Sequence, residues 1–147
     1  MQDELLASHL CTALMRIGTR MATVFDQHFD TYGITQAQFR VLLAIWDYGG
    51  VDGMAPSMLA DRLLIERATI SVLTARLVTW GWLERVPGEN RRTFRLTLTE
   101  TGWAKLREVL PHAVVLADET INGFDREELR AALTLLEKLE ARLRERK

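Results

Sequence analysis

A chain of 147 residues is the size of a single domain and long enough to bury a sizeable core. With 48% hydrophobic and 27% charged residues and a net charge of −1, its composition is that of a globular protein and excludes disordered and collagen-like classes. The longest uninterrupted apolar run, residues 41–46, is far short of a membrane span, and the first six residues, MQDELL, are acidic where a secretory signal is basic, so the expectation is a cytoplasmic protein with no membrane partner.

Apolar residues recur at helical spacing from the start of the chain: Leu6, Leu10, Ala13, Leu14, Ile17, Met21, Val24, Phe25 and, with them, His28. They predict one helix over residues 3–30, about seven turns, too long to lie on its own core throughout, so part of it should pack on another chain. Tyr32 and Gly33 provide a stop. Thr35-Gln36-Ala37-Gln38 has the form of a capping box, opening a helix that continues through Phe39, Val41, Leu42, Ile45 and Trp46 to Gly49 and Gly50.

The stretch 55–98 carries the functional signal. Pro56 suits a first helical position, and Leu59, Ala60 and Leu63 share one face of a short helix. A tight connection at Leu64 and Ile65 leads to a second helix over residues 66–80, with Ile70, Leu73, Leu77 and Trp80 on its buried side. The opposite side shows Arg67, Ala68, Thr69, Ser71, Val72, Ala75 and Arg76: small groups, hydroxyls and cations, with no carboxylate. Such a face can enter a major groove. Gly81 ends the helix, and the alternation of Phe94, Leu96 and Leu98 with Thr93, Arg95 and Thr97 predicts a β-hairpin over residues 82–98, its tip running from Pro87 through Asn90, Arg91 and Arg92. Two short helices, a tight turn and a basic hairpin make a winged helix-turn-helix. Charge supports the reading. Residues 62–95 hold seven arginines against three glutamates, a net +4 in a chain of −1, so a polyanion is drawn to that side. The alternative is that surface arginines cluster by chance or pair with neighbouring glutamates.

After the hairpin, Thr99 is placed to cap a helix with Glu100 in its first turn and a buried face of Trp103, Leu106, Leu110, Ala113, Val114, Ala117 and Ile121. Pro111 in its middle should kink it near Arg107 or end it. Asn122 and Gly123 close this segment, and residues 125–128, DREE, open a last helix with Leu129, Ala132, Leu133, Leu136, Leu139 and Leu143 on one side. The heptad step of 129, 136 and 143 suits packing on a second subunit, with packing on the first helix as the alternative.

The chain resembles the MarR (multiple antibiotic resistance regulator) family along nearly its whole length. The likeness rests on TQAQF at 35–39, Leu59-Ala60, TIS at 69–71, Arg76-Leu77, GWLER at 81–85, NRR at 90–92 and LTETG at 98–102. It implies a single domain over 1–147, mainly α with a small antiparallel β wing. A winged helix-turn-helix lobe at 35–98 is flanked by N- and C-terminal dimerisation helices at 1–32 and 99–147. It further implies a homodimeric transcriptional regulator of double-stranded DNA, a repressor on a palindromic operator, released by a small aromatic or anionic effector. DNA contacts are then expected from Arg67, Ala68, Thr69, Ser71, Val72, Ala75 and Arg76 in the major groove and from Asn90, Arg91 and Arg92 on the wing.

Two positions depart from the family pattern. The wing usually carries Asp-x-Arg; here Asn90 stands for the acid and can accept a hydrogen bond from Arg92 but offers no charge, so that arginine should be held less firmly. Val72 stands where many relatives present a longer polar side chain, and valine can touch a thymine methyl but cannot make a bidentate hydrogen bond. For an effector, Arg16 and Arg20, one turn apart on the first helix, could meet a carboxylate, and Trp46 and Trp103 could form aromatic walls; ion pairs and ordinary core packing are the plainer alternatives.

Cys11 rules out a disulfide framework within one chain. Its surroundings, LCTAL at 10–14, are similar to the cysteine segment of the organic-hydroperoxide-sensing branch, which opens a redox-responsive reading. The tyrosines that assist in that branch are replaced by Met15 and Phe25, and the plainer reading is a small apolar residue in the first helix. A winged-helix protein-interaction module without DNA binding is a further alternative. His9, His28 and His112 lack metal-ligand spacing, and with no glycine-rich phosphate loop or nucleophile–base pairing readable, the chain is read as not an enzyme and as having no cofactor or metal.

Overall fold

A computed structural model describes residues 3–146. The chain divides into two compact units, the first ending at Gln36 and the second beginning at Ala37.

The first unit is almost entirely one helix. After a short 3-10 turn, Asp3–Leu5, helix α1 runs over Leu6–Phe29, 24 residues, as its periodicity predicts. The hydroxyls of Thr12, Thr19 and Thr23 each donate to the carbonyl four residues back, at 2.6, 3.0 and 3.1 Å, which satisfies them without a tertiary partner. Leu6, Leu10, Ile17 and Met21, all on the expected apolar face, are 42–63% exposed. A second 3-10 turn, Asp30–Tyr32, ends at Gly33, whose φ of 68° is the left-handed conformation that glycine adopts without a Cβ penalty. Asp26 contributes to the start of the next helix: its Oδ1 accepts the backbone N–H of Gln36 at 2.7 Å. A carboxylate is well placed at the positive end of a helix dipole, and this partner lies ten residues upstream of the N–H it accepts, outside any local capping pattern.

The second unit begins within α2 (Gln36–Ala44), which continues as one wide π-helical turn, Ile45–Gly49. That turn inserts a residue into the helical register, leaving Ile45 buried while Trp46 is 43% exposed, so Trp46 lies off the packing face on which its spacing had placed it. Helices α3 (Pro56–Leu63) and α4 (Arg67–Thr79) follow, then an antiparallel hairpin of β1 (Leu83–Pro87) and β2 (Phe94–Leu98) in the register Leu83 to Leu98 and Pro87 to Phe94. A third partner was not apparent from the sequence: Met54 exchanges both backbone hydrogen bonds with Leu96, at 3.0 and 2.8 Å, which ties the approach to α3 onto the hairpin. Gly53 makes this possible. Its φ is +79°, and a Cβ there would run into the Leu96 carbonyl.

The core of this unit is Val41, Leu42, Ile45, Leu59, Ile70, Leu77, Leu83, Leu96, Leu106 and Val109, drawn from every element between α2 and α5 (Glu100–Thr120). Two helical faces differ from expectation. In α4 the buried line is Ile70, Thr74 and Leu77, while Leu73 is only half-buried and Trp80 is exposed. Thr74 fits the core because its hydroxyl bonds the Ile70 carbonyl at 2.8 Å, leaving a methyl for the seam; Trp80, past the last turn, packs edge-on against Trp82 at 5.1 Å. In α5 the buried line is Gly102, Leu106, Val109, Ala113 and Leu116, and Val114, Ala117 and Ile121 are exposed. The helix neither ends nor breaks at Pro111, which lies on the exposed side where the Arg107 carbonyl it fails to bond can be hydrated.

Thr99 caps α5 as expected, accepting from Gly102 N–H at 3.0 Å, and its hydroxyl also donates to the Gly81 carbonyl at 2.5 Å. One side chain thus joins the end of α4, the end of the wing and the start of α5. Thr99→Val should cost about 1 kcal/mol, the usual worth of an N-cap, lowering the thermal midpoint by roughly 3 °C in a calorimetric scan. Helix α6 (Arg126–Glu145), capped by Asp125 through Glu128 N–H at 3.2 Å, contains no buried residue: Leu133, Leu136 and Leu143 are all exposed, and Leu129 and Leu139 are half-buried.

Candidate nucleic-acid interface

The recognition geometry starts at the end of α3. Leu64 takes the left-handed conformation, φ 54° and ψ 42°, and its N–H and that of Ile65 both reach the Ala60 carbonyl, so α3 ends within one residue. A non-glycine residue there costs of order 1 kcal/mol, which the core on both sides offsets. The chain then re-enters a helix at Arg67 with α4 anchored by Ile70, Thr74 and Leu77. That anchoring turns Arg67, Ala68, Thr69, Ser71, Val72, Ala75 and Arg76 to the surface, and all seven are exposed, as the sequence predicts.

The wing tip is held by its own polar groups. Gly88 N–H bonds the Thr93 carbonyl at 3.0 Å, and Asn90 and Thr93 are linked twice at 3.2 Å through the Thr93 hydroxyl. Asn90 Oδ1 accepts the backbone N–H of Arg92 at 2.9 Å. The contact expected between Asn90 and Arg92 therefore exists, but to the main chain: it shapes the loop and leaves the guanidinium free. Thr93, which sequence reading passed over, locks the same loop; a hydroxyl next to an Asn-containing hairpin tip was the available signal.

The seven arginines of residues 62–95 do not pair with Glu66, Glu84 or Glu89 among the described residues. Arg62 lies over the Tyr48 ring at 4.1 Å and Arg85 over Phe94 at 5.4 Å; Arg95 is half-buried, with its Nε shut off from solvent and unbonded. Arg67, Arg76, Arg91 and Arg92 remain, with exposed guanidinium groups that have no hydrogen-bond or ion-pair partner among the described residues. The free cations of this segment are thus two on the face of α4 and two on the wing tip.

Trp46 and Trp103 are brought together, ring centroids 4.1 Å apart and tilted by 38°, with Arg107 5.3 Å from the Trp103 ring. Trp103 is half-buried, so the pair forms an aromatic step open on one side. Arg16, Arg20 and Cys11 belong to α1 in the first unit; all three are exposed, and the two guanidinium groups are unpaired among the described residues. No described helix is long and apolar enough to cross a membrane.

An exposed second helix of cations and small polar groups, a tight turn before it and a basic hairpin after it define a winged helix-turn-helix protein of the DNA-binding regulator class. The MarR family model matches residues 32–92, and the transcriptional regulator PecS of Dickeya dadantii is 30% identical over 129 residues, 85% of this chain and 78% of that protein. The chain belongs to the MarR family. Its fold matches that of a MarR-family regulator from Rhodococcus sp. RHA1 with a TM-score of 0.81 at 15% identity, covering 92% of this chain and 94% of that one. It also matches BpsR of Bordetella bronchiseptica, a protein whose DNA binding is regulated by 6-hydroxynicotinic acid, with a TM-score of 0.75 at 28% identity over 88% of this chain and 92% of that one.

Proposed function

We propose that this protein is a homodimeric, cytoplasmic repressor that binds a palindromic operator and releases it when a small aromatic or anionic molecule binds. The observation that carries the reading is the placement of four unpaired arginines of the 62–95 segment, Arg67 and Arg76 on the helix face and Arg91 and Arg92 on the wing. In this reading Arg67, Ala68, Thr69, Ser71, Val72, Ala75 and Arg76 meet the major groove, and Asn90, Arg91 and Arg92 meet the minor groove or phosphates. Val72, 67% exposed, suits a thymine methyl rather than a hydrogen-bonded base edge.

Dimerisation is supported by what one chain leaves uncovered. Exposed leucines on α6 and apolar residues on α1 are two amphipathic faces that a second copy would bury, with residues 1–32 and 99–147 as the dimerisation region and 35–98 as the DNA-binding region. A symmetric dimer then presents two α4 helices to half-sites about one turn of duplex apart, and an effector acts by favouring a separation that no longer fits. The Trp46–Trp103 step in the second unit supports an aromatic effector; separately, Arg16 and Arg20 are exposed cations on α1 of the first unit that suit an anionic one.

Binding to the DNA upstream of the protein's own coding sequence, against a scrambled duplex of equal length at two salt concentrations, tests this. Tight binding to the native duplex alone, one dimer per site and a steep loss in salt are expected. Equal weak binding to both duplexes, by a protein that sediments as a monomer, would overturn it.

A further inference from the structure

Every helix ends with four carbonyls that have no partner within it, and at the end of α3 those groups sit against the turn that aims the recognition helix. Three of the four find their partners far away in the chain. The Ala60 carbonyl takes the N–H groups of Leu64 and Ile65. That of Leu63 accepts from Arg40 Nη2 of α2 at 3.5 Å. The two between them, of Asp61 and Arg62, accept from one side chain on α6: Arg144 Nε at 3.0 Å and Nη2 at 3.1 Å. The guanidinium is held in turn by Glu140, one helical turn earlier, at 3.3 Å.

These bonds stand out because α6 has little else. It buries no residue, and among its described residues Arg144 alone forms a hydrogen bond to another element. Grooves of about 510 and 310 Å³ flank the bracket, and Asp61 and Arg144 line both. The end of α6 is therefore joined to the DNA-reading motif by a directional polar clamp rather than by apolar packing. A cation at a helix C-terminus is favoured by the helix dipole, and the planar fork of arginine spans two successive carbonyls as a single ammonium cannot.

We infer that Arg144 is a positioning residue for DNA recognition: by clamping the last turn of α3 to α6, it fixes the α3–α4 turn and hence the angle at which α4 meets the groove. The inference rests on the DNA-binding reading for its consequence, though not for its geometry. Arg144 touches no DNA in this role. It transmits the placement of α6 to α4, so a shift of the terminal helix would be felt at the recognition face.

The test compares the full-length protein with Arg144→Lys, which keeps the charge, with Arg144→Gln and with Glu140→Gln, which removes the guanidinium's ion-pair partner but leaves its bonds to α3. The probe is a duplex selected by the unmodified protein from a randomised pool, and amide hydrogen exchange of the free protein is measured alongside. Arg144→Lys is expected to bind about fivefold or more weakly with an unchanged salt slope and an unchanged thermal midpoint, while the Leu64 and Ile65 amides exchange faster. Arg144→Gln should do the same, and Glu140→Gln should move in the same direction by less. Native affinity and native exchange in Arg144→Lys would overturn the inference. So would a salt slope shallower by about one in Arg144→Gln with exchange unaltered, which is the behaviour of an arginine on a phosphate. If the unmodified protein selects no duplex, the DNA-binding reading fails; exchange at Leu64 and Ile65 still decides whether Arg144 holds the turn.

Discussion

Replacing Arg91 and Arg92 together by alanine is expected to weaken operator binding roughly 10- to 100-fold near 0.1 M salt and to make the salt dependence shallower by about two per chain. The magnitude follows from counterion release, about 0.9 logarithmic unit of salt dependence for each phosphate neutralised. Folding should be untouched, because neither guanidinium bonds to the protein and the tip is held by Asn90 and Thr93. The thermal midpoint should therefore stay within about 1 °C, as for other surface substitutions. Asn90→Ala separates shape from charge: it removes the bond to Arg92 N–H while leaving both arginines, so affinity should fall with the salt slope retained. If the double substitution changed neither affinity nor slope, the wing would lie off the DNA and a protein-interaction role for the lobe would gain ground.

Sequence reading succeeded where the determinants are local. Pro56 opening α3, Gly81 closing α4 and Thr99 capping α5 act within a few residues of their own positions, and each performs its expected role. The hairpin itself followed from the period-two alternation of Phe94, Leu96 and Leu98. Readings that needed a neighbour from elsewhere were less complete. The faces of α4 and α5 turned out shifted because Thr74 and Gly102 are core residues by virtue of what they touch, and a hydrophobicity pattern does not rank a hydroxyl or a glycine as buried. The Met54–Leu96 pairing, the Asp26 contact at Gln36 N–H and the Arg144 clamp join residues 42, 10 and more than 80 positions apart, beyond the reach of any local spacing rule. Of the candidate site, the identity of the exposed α4 residues was legible in full. Which of the seven arginines would remain free was not, since Arg62 and Arg85 are taken up by aromatic rings on other elements.

Gly102→Ala is expected to destabilise the protein by roughly 3 kcal/mol, and the sign alone is informative. Gly102 lies in the first turn of α5 with an ordinary helical conformation, so intrinsic propensity favours alanine there by up to about 1 kcal/mol. Packing opposes it: a Cβ on Gly102 would overlap the Trp82 carbonyl oxygen and stand 2.8 Å from its carbon and 3.1 Å from its Cα. Those are backbone atoms at the entry to β1, and the same Trp82 carbonyl accepts Thr99 N–H at 3.1 Å, so it cannot withdraw without opening the base of the wing. Gly18 provides the comparison, lying within α1 with nothing within 4 Å of its virtual Cβ; Gly18→Ala should gain up to about 1 kcal/mol. Denaturant midpoints of the two variants decide between the effects. Opposite signs would show that the close approach of α5 to the wing outweighs helix propensity at Gly102, whereas a gain at both positions would mean that α5 and the wing separate freely. In that case the wing could not be held against DNA by the helix that follows it.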